Sequence, residues 1–193
     1  DPTLPRLREE RYRLIVPRRL FSKNGVEYFV RALPMISAVV DVEAIVIGDG
    51  PERATLESLA GELGVTDRLT FMGTYPHDEM PGLLSSSDLA IFPSLMEATS
   101  IAALESMACE VPVAASRVGG LPEILNHEVG ALFELADSKS LARTVIELLQ
   151  GGQLRALGVE ARKRVVERWS NERLTDRHLE IYEALVARRH AVA

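Results

Sequence analysis

Two glutamates near the middle of the chain have the spacing and surroundings of a ligand-binding pair. Glu97 and Glu105 are separated by seven residues, in a segment that begins as an apolar strand at Phe92. If the segment were one helix, the two carboxylates would be separated by roughly 12 Å along its axis, too far to act on one substrate atom. A helix that begins near Ser100 instead leaves Glu97 in the preceding loop and Glu105 on the second turn. Both carboxylates then border one pocket.

The start of that helix can bind an anion. Ser94 or Thr99 can cap the helix, and its first backbone N–H groups are free to donate to phosphate oxygens. An ionised carboxylate nearby accepts hydroxyl hydrogen bonds that are each worth roughly 1.5–3 kcal/mol. As paired acids of a glycosidase, the two glutamates would instead need carboxyl groups about 5–5.5 Å apart for retention or about 6.5–9.5 Å for inversion.

Apolar runs and amphipathic segments alternate along the chain, and they must position these residues. Strands that are buried and uniformly apolar are predicted at 13–16, 42–47, 69–72, 89–92, 113–115 and 131–133. Helices are predicted at 26–33, 52–63, 77–85, 100–109, 138–149, 154–169 and 172–187. This order predicts a doubly wound, Rossmann-like α/β domain of about six parallel strands with helices on both faces.

Ligands of such sheets bind beyond the carboxyl ends of the strands. The loops that follow the predicted strands are therefore expected to share one edge; they are 17–25, 48–51, 73–77, 93–99 and 116–120. Residues 1–12 are predicted to be a linker, and 13–193 to be one domain with C-terminal helices.

Composition narrows the classes of function. The chain has 193 residues, of which 47% are hydrophobic, and 22 basic against 28 acidic residues give a net charge of -6. This balance argues against a nucleic-acid partner, whose phosphates need a positive surface. Apolar runs are short and no secretory signal pattern opens the chain, which predicts a soluble protein. The single cysteine, Cys109, is compatible with the cytoplasm, and the opening Asp1-Pro2 indicates a chain cut from a longer protein.

The acid pair, the small-residue helix and the strand that starts at Pro112-Val113 resemble the signature of retaining glycosyltransferases of family four, which have the GT-B fold. The resemblance implies that this chain is the C-terminal, donor-binding half of a hexosyltransferase that uses a nucleotide diphosphate sugar, with no cofactor and no metal. It also implies that Glu105 holds the ribose hydroxyls of the nucleotide. Glu97 would contact hydroxyls of the donor sugar near the reacting carbon.

The start of the predicted helix departs from that family. Many relatives have glycines where this chain has Ala98-Thr99-Ser100, and glycine permits close backbone approach. Thr99 and Ser100 can still donate backbone N–H groups, and their hydroxyls can add further bonds. We expect Thr99, Ser100 and Ile101 to bind the donor.

A basic loop follows the first predicted strand. The same family carries an arginine and a lysine there, which grip the diphosphate and stabilise its growing negative charge as it leaves. Arg19, which precedes Leu20, matches the arginine, and Lys23 matches the lysine. Arg18 is expected to be their solvent-facing neighbour.

Weaker signals surround these groups. Gly48 is interpreted mainly as part of a glycine turn that can form one wall of the pocket. The resemblance implies that the base pocket lies after the third strand, where either the Tyr75 side chain or the backbone borders the nucleobase. Gly119-Gly120 is interpreted as a tight turn into a short helix. The four histidines have no metal-ligand spacing, and Cys109 is interpreted as a packed residue at a helix end rather than a nucleophile; the histidines are His77, His127, His178 and His190.

The partners implied by the resemblance are a nucleotide sugar, with UDP or GDP as the favoured carrier, and a missing N-terminal domain that holds the acceptor. Any peripheral membrane contact would be made through that domain. Two alternatives stay open at this point. One is the glycosidase, which leaves the basic loop without a role; the other is a flavodoxin-like binding or signalling module, for which the doubly wound pattern suffices.

Overall fold

The computed structural model describes residues 11–191, and side chains as far as residue 187. Most of the predicted linker, residues 1–10, lies outside the described residues, and so does the side chain of His190.

Six parallel strands form one sheet: Tyr12–Pro17 (β1), Val42–Ile47 (β2), Leu69–Gly73 (β3), Leu89–Phe92 (β4), Val113–Ser116 (β5) and Gly130–Phe133 (β6). The helices in the described part of the chain are Val26–Ser37 (α1), Arg53–Glu62 (α2), Met80–Ser85 (α3), Ile101–Ala108 (α4), Leu121–Ile124 (α5), Ser138–Gln150 (α6), Leu154–Trp169 (α7) and Asn171–Ala191 (α8). A 3-10 turn at Ser22–Asn24 precedes α1. Every predicted strand and helix is present, which confirms the doubly wound α/β fold.

The strand order is β3-β2-β1-β4-β5-β6, so the chain moves outward in one direction from β1 and then returns to build the other half from β4. Strand β1 pairs with β2 on one side, where Val16 is level with Val46, and with β4 on the other, where Ile15 is level with Ala90. Ligands of doubly wound sheets bind in the crevice where the strand order reverses. That crevice lies between the loops that leave β1 and β4.

Helices cover both faces of the sheet, because side chains alternate between the faces along each strand. Leu14 and Val16 belong to a buried core that also contains side chains of α1, α2 and α6. Ile15, between them, belongs to a second core with side chains of α3, α4 and α7. Residues 171–187 of α8 are exposed and contribute to neither core. No helix among the described residues is long and apolar enough to cross a membrane.

Two helix boundaries differ from the prediction for reasons that involve proline. The helix expected at 77–85 begins only at Met80, because Pro81 occupies its first turn, where the missing N–H costs nothing. The helix expected at 26–33 continues past Pro34 to Ser37. Pro34 removes one backbone hydrogen bond, but Ile36 is fully buried and extends the apolar face of the helix.

The prediction that the strands are buried and uniformly apolar is wrong at two places. Thr70 of the edge strand β3 is exposed, and β1 and β2 carry a buried ion pair. Arg13 of β1 and Glu43 of β2 are level with each other in the sheet, and their side chains are only 2% and 5% exposed. Arg13 Nε donates to Glu43 Oε1 at 2.6 Å and its Nη1 donates to Ser86 Oγ at 3.2 Å. The pair lies near the amino ends of the strands, away from the ligand edge.

Replacing Glu43 with alanine is expected to lower the free energy of unfolding by about 3–5 kcal/mol, because the substitution leaves the charge of Arg13 buried without its carboxylate. Urea unfolding followed by circular dichroism measures the loss. Glu57→Ala is the matched control: Glu57 also pairs with an arginine, at 2.8 Å, but is 48% exposed, and such pairs are worth about 1 kcal/mol or less. Equal losses of unfolding free energy in the two variants would contradict the stabilising role assigned to the buried pair of Arg13 and Glu43.

Candidate functional site

An open cleft of about 310 Å³ lies at the carboxyl edge of the sheet. Four parts of the chain line it: the end of β1 with Pro17, Arg18 and Arg19; the end of β2 with Ile47 and Gly48; the segment after β3 and α3 with Tyr75, His77, Met80 and Leu84; and α4 with Ala102 and Glu105. Four of the predicted site residues therefore converge on one cleft, as the topology requires; they are Arg19, Gly48, Tyr75 and Glu105.

Glu97 is held beside this cleft by Arg18. Arg18 Nη2 donates to Glu97 Oε2 at 2.6 Å, to Ser94 Oγ at 2.6 Å and to Asn24 Oδ1 at 3.0 Å. The Arg18 and Glu97 side chains are 11% and 14% exposed, and the guanidinium carbon lies 5.8 Å from the centre of the Phe92 ring. The acid of the β4 loop and a base of the β1 loop thus form one largely buried ion pair.

The expectation that Arg18 faces the solvent is wrong. Arg19 is the more exposed of the two arginines, and its guanidinium carbon lies 5.7 Å from the ring centre of Phe21, which is itself 42% exposed. The chain turns tightly here, since Arg18 N donates to Val16 O and Phe21 N donates to Arg19 O, both at 3.0 Å. The alternation of a strand no longer applies after such turns.

Lys23 is exposed, in the 3-10 turn, and its side chain is not among those that line the cleft. Its carbonyl oxygen accepts hydrogen bonds from the backbone N–H groups of Leu95 at 2.8 Å and Met96 at 3.3 Å. Its neighbour Asn24 is buried, and Asn24 Nδ2 donates to Arg19 O at 2.6 Å. The two bonds to the Lys23 carbonyl join the basic loop to the loop that carries Glu97, and the Asn24 bond lies within the basic loop.

Helix α4 begins one residue later than predicted, and its cap is neither Ser94 nor Thr99. Ser100 is the capping residue: its hydroxyl accepts from Ala103 N at 3.4 Å, and the residue is 1% exposed. The hydroxyl of Ser94 is instead engaged with Arg18. Thr99 is exposed and Ile101 is 68% exposed, so the start of α4 presents these two residues to the surface and buries the Ser100 side chain.

Glu105 lies on the second turn of α4 with its side chain 39% exposed. Its Oε1 atom lies 3.9 Å from Nε2 of His77, which is 86% exposed. His77 is not among the predicted site residues, because the histidines have no metal-ligand spacing. Its position after β3 nevertheless places it in a loop at the ligand edge.

Burial raises the pKa of the Cys109 thiol above its ordinary value, so the thiol is protonated at neutral pH.

Gly119 and Gly120 brace the loop that carries Glu97. Gly120 N donates to Ala98 O at 3.0 Å, and a Cβ atom on either glycine would collide with a backbone carbonyl oxygen, that of Glu97 or that of Ala98. Gly119 has a φ of 54°, in the left-handed region. The sequence predicts only a tight turn at these glycines. Their contact with residues 97 and 98 in the structure shows that the turn also sets the position of the loop that carries Glu97.

Gly119→Ala is expected to destabilise the domain by more than Gly152→Ala. Both positions have left-handed φ values, 54° and 66°, at which a side chain costs roughly 1–2 kcal/mol. No atom lies within 4 Å of a Cβ placed at Gly152, whereas Gly119→Ala also has to displace the Glu97 carbonyl. Urea unfolding of both variants measures the difference, and equal losses would show that the close contact has no energetic weight.

Comparison with known proteins places this geometry in a family. Residues 5–167 match the family described as Glycosyl transferases group 1. The chain is 36% identical, over 159 residues, to the N-acetyl-alpha-D-glucosaminyl L-malate synthase of Bacillus anthracis, and the alignment covers 81% of this chain and 41% of that enzyme.

Solved structures share the fold. Sucrose-phosphate synthase from Thermosynechococcus elongatus superposes with a TM-score of 0.84 at 28% identity, over 94% of this chain and 47% of that one. The C-terminal domain of a glycosyl transferase group 1 family protein from Francisella tularensis superposes with a TM-score of 0.75 at 24% identity, over 83% of this chain and 87% of that domain.

The chain spans less than half the length of the Bacillus synthase and of the sucrose-phosphate synthase. The flavodoxin-like alternative is not favoured, because the matched family consists of transferases. The chain belongs to the glycosyl transferases of group 1, as a domain with the Rossmann-like fold of the GT-B superfamily.

Proposed function

We propose that residues 13–193 bind the nucleotide diphosphate sugar of a retaining, family-four glycosyltransferase of the hexosyltransferase type. The observation that carries the proposal is the convergence of Arg19 and Glu105 on one cleft at the crevice between β1 and β4. A cation and an acid that line the same cleft match a ligand that carries a charged diphosphate next to a ribose with two hydroxyls.

Glu105 is the nucleotide anchor in this proposal. Its half-exposed carboxylate accepts hydrogen bonds from the two ribose hydroxyls, and both bonds are charge-assisted. Tyr75 lines the same cleft, where it borders the nucleobase. Gly48 lines the cleft as well, and a Cβ atom there would collide with the carbonyl oxygen of Arg18, so this glycine lets the β1 and β2 loops approach each other.

Arg19, Lys23 and the start of α4 bind the diphosphate. Arg19 lines the cleft, and its guanidinium and the exposed ammonium of Lys23 close on the diphosphate when the donor binds. The first N–H groups of α4, around Thr99, Ser100 and Ile101, have no partner within the helix and attract anions. Fixed positive charge at this place stabilises the nucleoside diphosphate as it departs.

Glu97 contacts the hydroxyls of the donor sugar. It lies in the loop that precedes α4, on the side of Arg18 and Ser94, and so at the phosphate end of the proposed donor rather than at its base. Retention of configuration follows from the same resemblance: the departing phosphate helps to deprotonate the acceptor, and no protein nucleophile is needed. The glycosidase alternative is weaker, because it assigns no role to Arg19 or Lys23.

The acceptor is held by an N-terminal domain outside these 193 residues; the match to only 41% of the Bacillus relative supports this proposal. We propose that the reaction needs neither a metal nor another cofactor, since protein cations serve the leaving group, and that it takes place in the cytoplasm. Any contact with a membrane is made through the acceptor domain. UDP or GDP is the proposed nucleotide.

Calorimetry with UDP, GDP and ADP tests the donor site. The parent is expected to bind at least one of them. Arg19→Ala and Glu105→Gln are each expected to weaken that binding by roughly 10- to 150-fold, which corresponds to the loss of a hydrogen bond to a charged group. Glu147→Gln, which changes an exposed acid on α6, is the matched control and should leave the affinity unchanged. A parent that binds none of the three at millimolar concentration contradicts the proposal.

The isolated chain is expected to bind donor without transferring sugar, because the acceptor is held elsewhere. Incubation with UDP-glucose, UDP-N-acetylglucosamine and GDP-mannose, with release of nucleoside diphosphate followed by chromatography, provides the measurement. Transfer to an added acceptor by this chain alone would overturn the division of roles between two domains.

A further inference from the structure

Arg18 has an unusual distribution of hydrogen bonds. One nitrogen, Nη2, lies within bonding distance of acceptors on Asn24, Ser94 and Glu97, although it carries only two hydrogens. Its Nε atom is buried and has no hydrogen-bond partner among the residues that the structure describes. The guanidinium therefore bonds to both the β1 loop and the β4 loop through a single nitrogen. We call this arrangement of Arg18 with Asn24, Ser94 and Glu97 the clamp.

The Glu97 side chain depends on this clamp for its position. Residues 93–100 form no helix or strand, so the local backbone supplies no regular framework for the carboxylate. One oxygen, Oε2, receives the bond from Arg18 and lies 3.4 Å from Ser94 Oγ. The same oxygen is thus held at two points, whereas no hydrogen bond from the described residues holds the other oxygen, Oε1.

Arg18 and Arg19 are adjacent in sequence, but the turns that follow β1 direct their side chains to different places. Arg19 is exposed and stacks on exposed Phe21, where an anion can reach it. Arg18 is directed to the β4 loop and is largely buried, over the Phe92 ring. A guanidinium suits this place because its donors are planar and it is more weakly hydrated than an ammonium.

We propose that Arg18 is a positioning residue that acts through Glu97: it fixes the carboxylate that receives the donor's sugar and leaves the diphosphate to Arg19 and Lys23. The inference rests on the proposed donor site, because Glu97 needs a fixed direction only if it reads a sugar. Asn24 and Ser94 complete the clamp by tying Arg18 to both loops.

A double-mutant cycle measures this coupling. Dissociation constants are determined for Arg18→Gln, Glu97→Gln and the double variant, with UDP, GDP and ADP and with UDP-glucose, UDP-N-acetylglucosamine, GDP-mannose and ADP-glucose. The readout is the ratio of the constant for the nucleotide sugar to that for its nucleoside diphosphate. Each single variant is expected to raise this ratio roughly tenfold, and the double variant no further than Glu97→Gln alone, since coupled residues are not additive.

Two further variants separate positioning from general damage. Arg143→Gln removes an exposed arginine of α6 and should leave the ratio unchanged. Arg18→Lys keeps a positive charge and several donors at the site and should recover part of the loss. Unchanged affinity of Arg18→Gln for the nucleoside diphosphate shows that the variant is folded.

Two results would overturn the inference alone. If Arg18→Gln weakens nucleoside diphosphate and nucleotide sugar by the same factor, Arg18 binds the diphosphate itself. If Glu97→Gln raises the ratio and Arg18→Gln does not, Glu97 needs no clamp. If the proposed donor site itself is wrong, the parent protein binds none of the probes. This outcome is distinguishable from the two results above.

Discussion

The parallel pairing of β1 between β2 and β4 is the constraint on which the site depends. Because the strand order reverses at this pair, the two loops that leave β1 and β4 lie side by side with no strand between them. The backbone bonds from Leu95 and Met96 to Lys23 and the ion pair from Arg18 to Glu97 are possible only there. Residues 79 positions apart in sequence become one unit.

Two largely buried ion pairs lie near opposite ends of the strands and have different roles. Near the amino ends of the strands, Arg13 and Glu43 are almost fully buried and satisfy each other within the sheet, which favours a structural role. At the carboxyl edge, Arg18 and Glu97 are slightly more exposed and belong to loops, and Arg18 lines the cleft. Burial alone does not distinguish a structural ion pair from one that serves the site. The position of the pair relative to the ligand edge of the sheet does.

Sequence patterns predicted the sheet well because its strands are short apolar runs between turn residues. The bounds of Val42–Ile47 and Leu89–Phe92 agree with the prediction to the residue, and topology then placed Arg19 and Glu105 on one edge. The direction of Arg18 was not predictable, since it depends on two tight turns after Pro17. Nor was the cap: Thr99 and Ser100 are both good capping residues, and only packing decides that Ser100 is buried.

The side chains of Ala98-Thr99-Ser100, at positions where the resemblance implies glycines, illustrate a more general point about close backbone contacts. Two chain segments approach closely if either one lacks a Cβ atom at the contact. Here the opposite loop supplies that freedom, because Gly119 and Gly120 lie against the carbonyl groups of Glu97 and Ala98. The acid loop can therefore carry side chains while it keeps its position against the β5 loop. Ser100 then becomes free to cap α4, a role in which its hydroxyl is more effective than glycine.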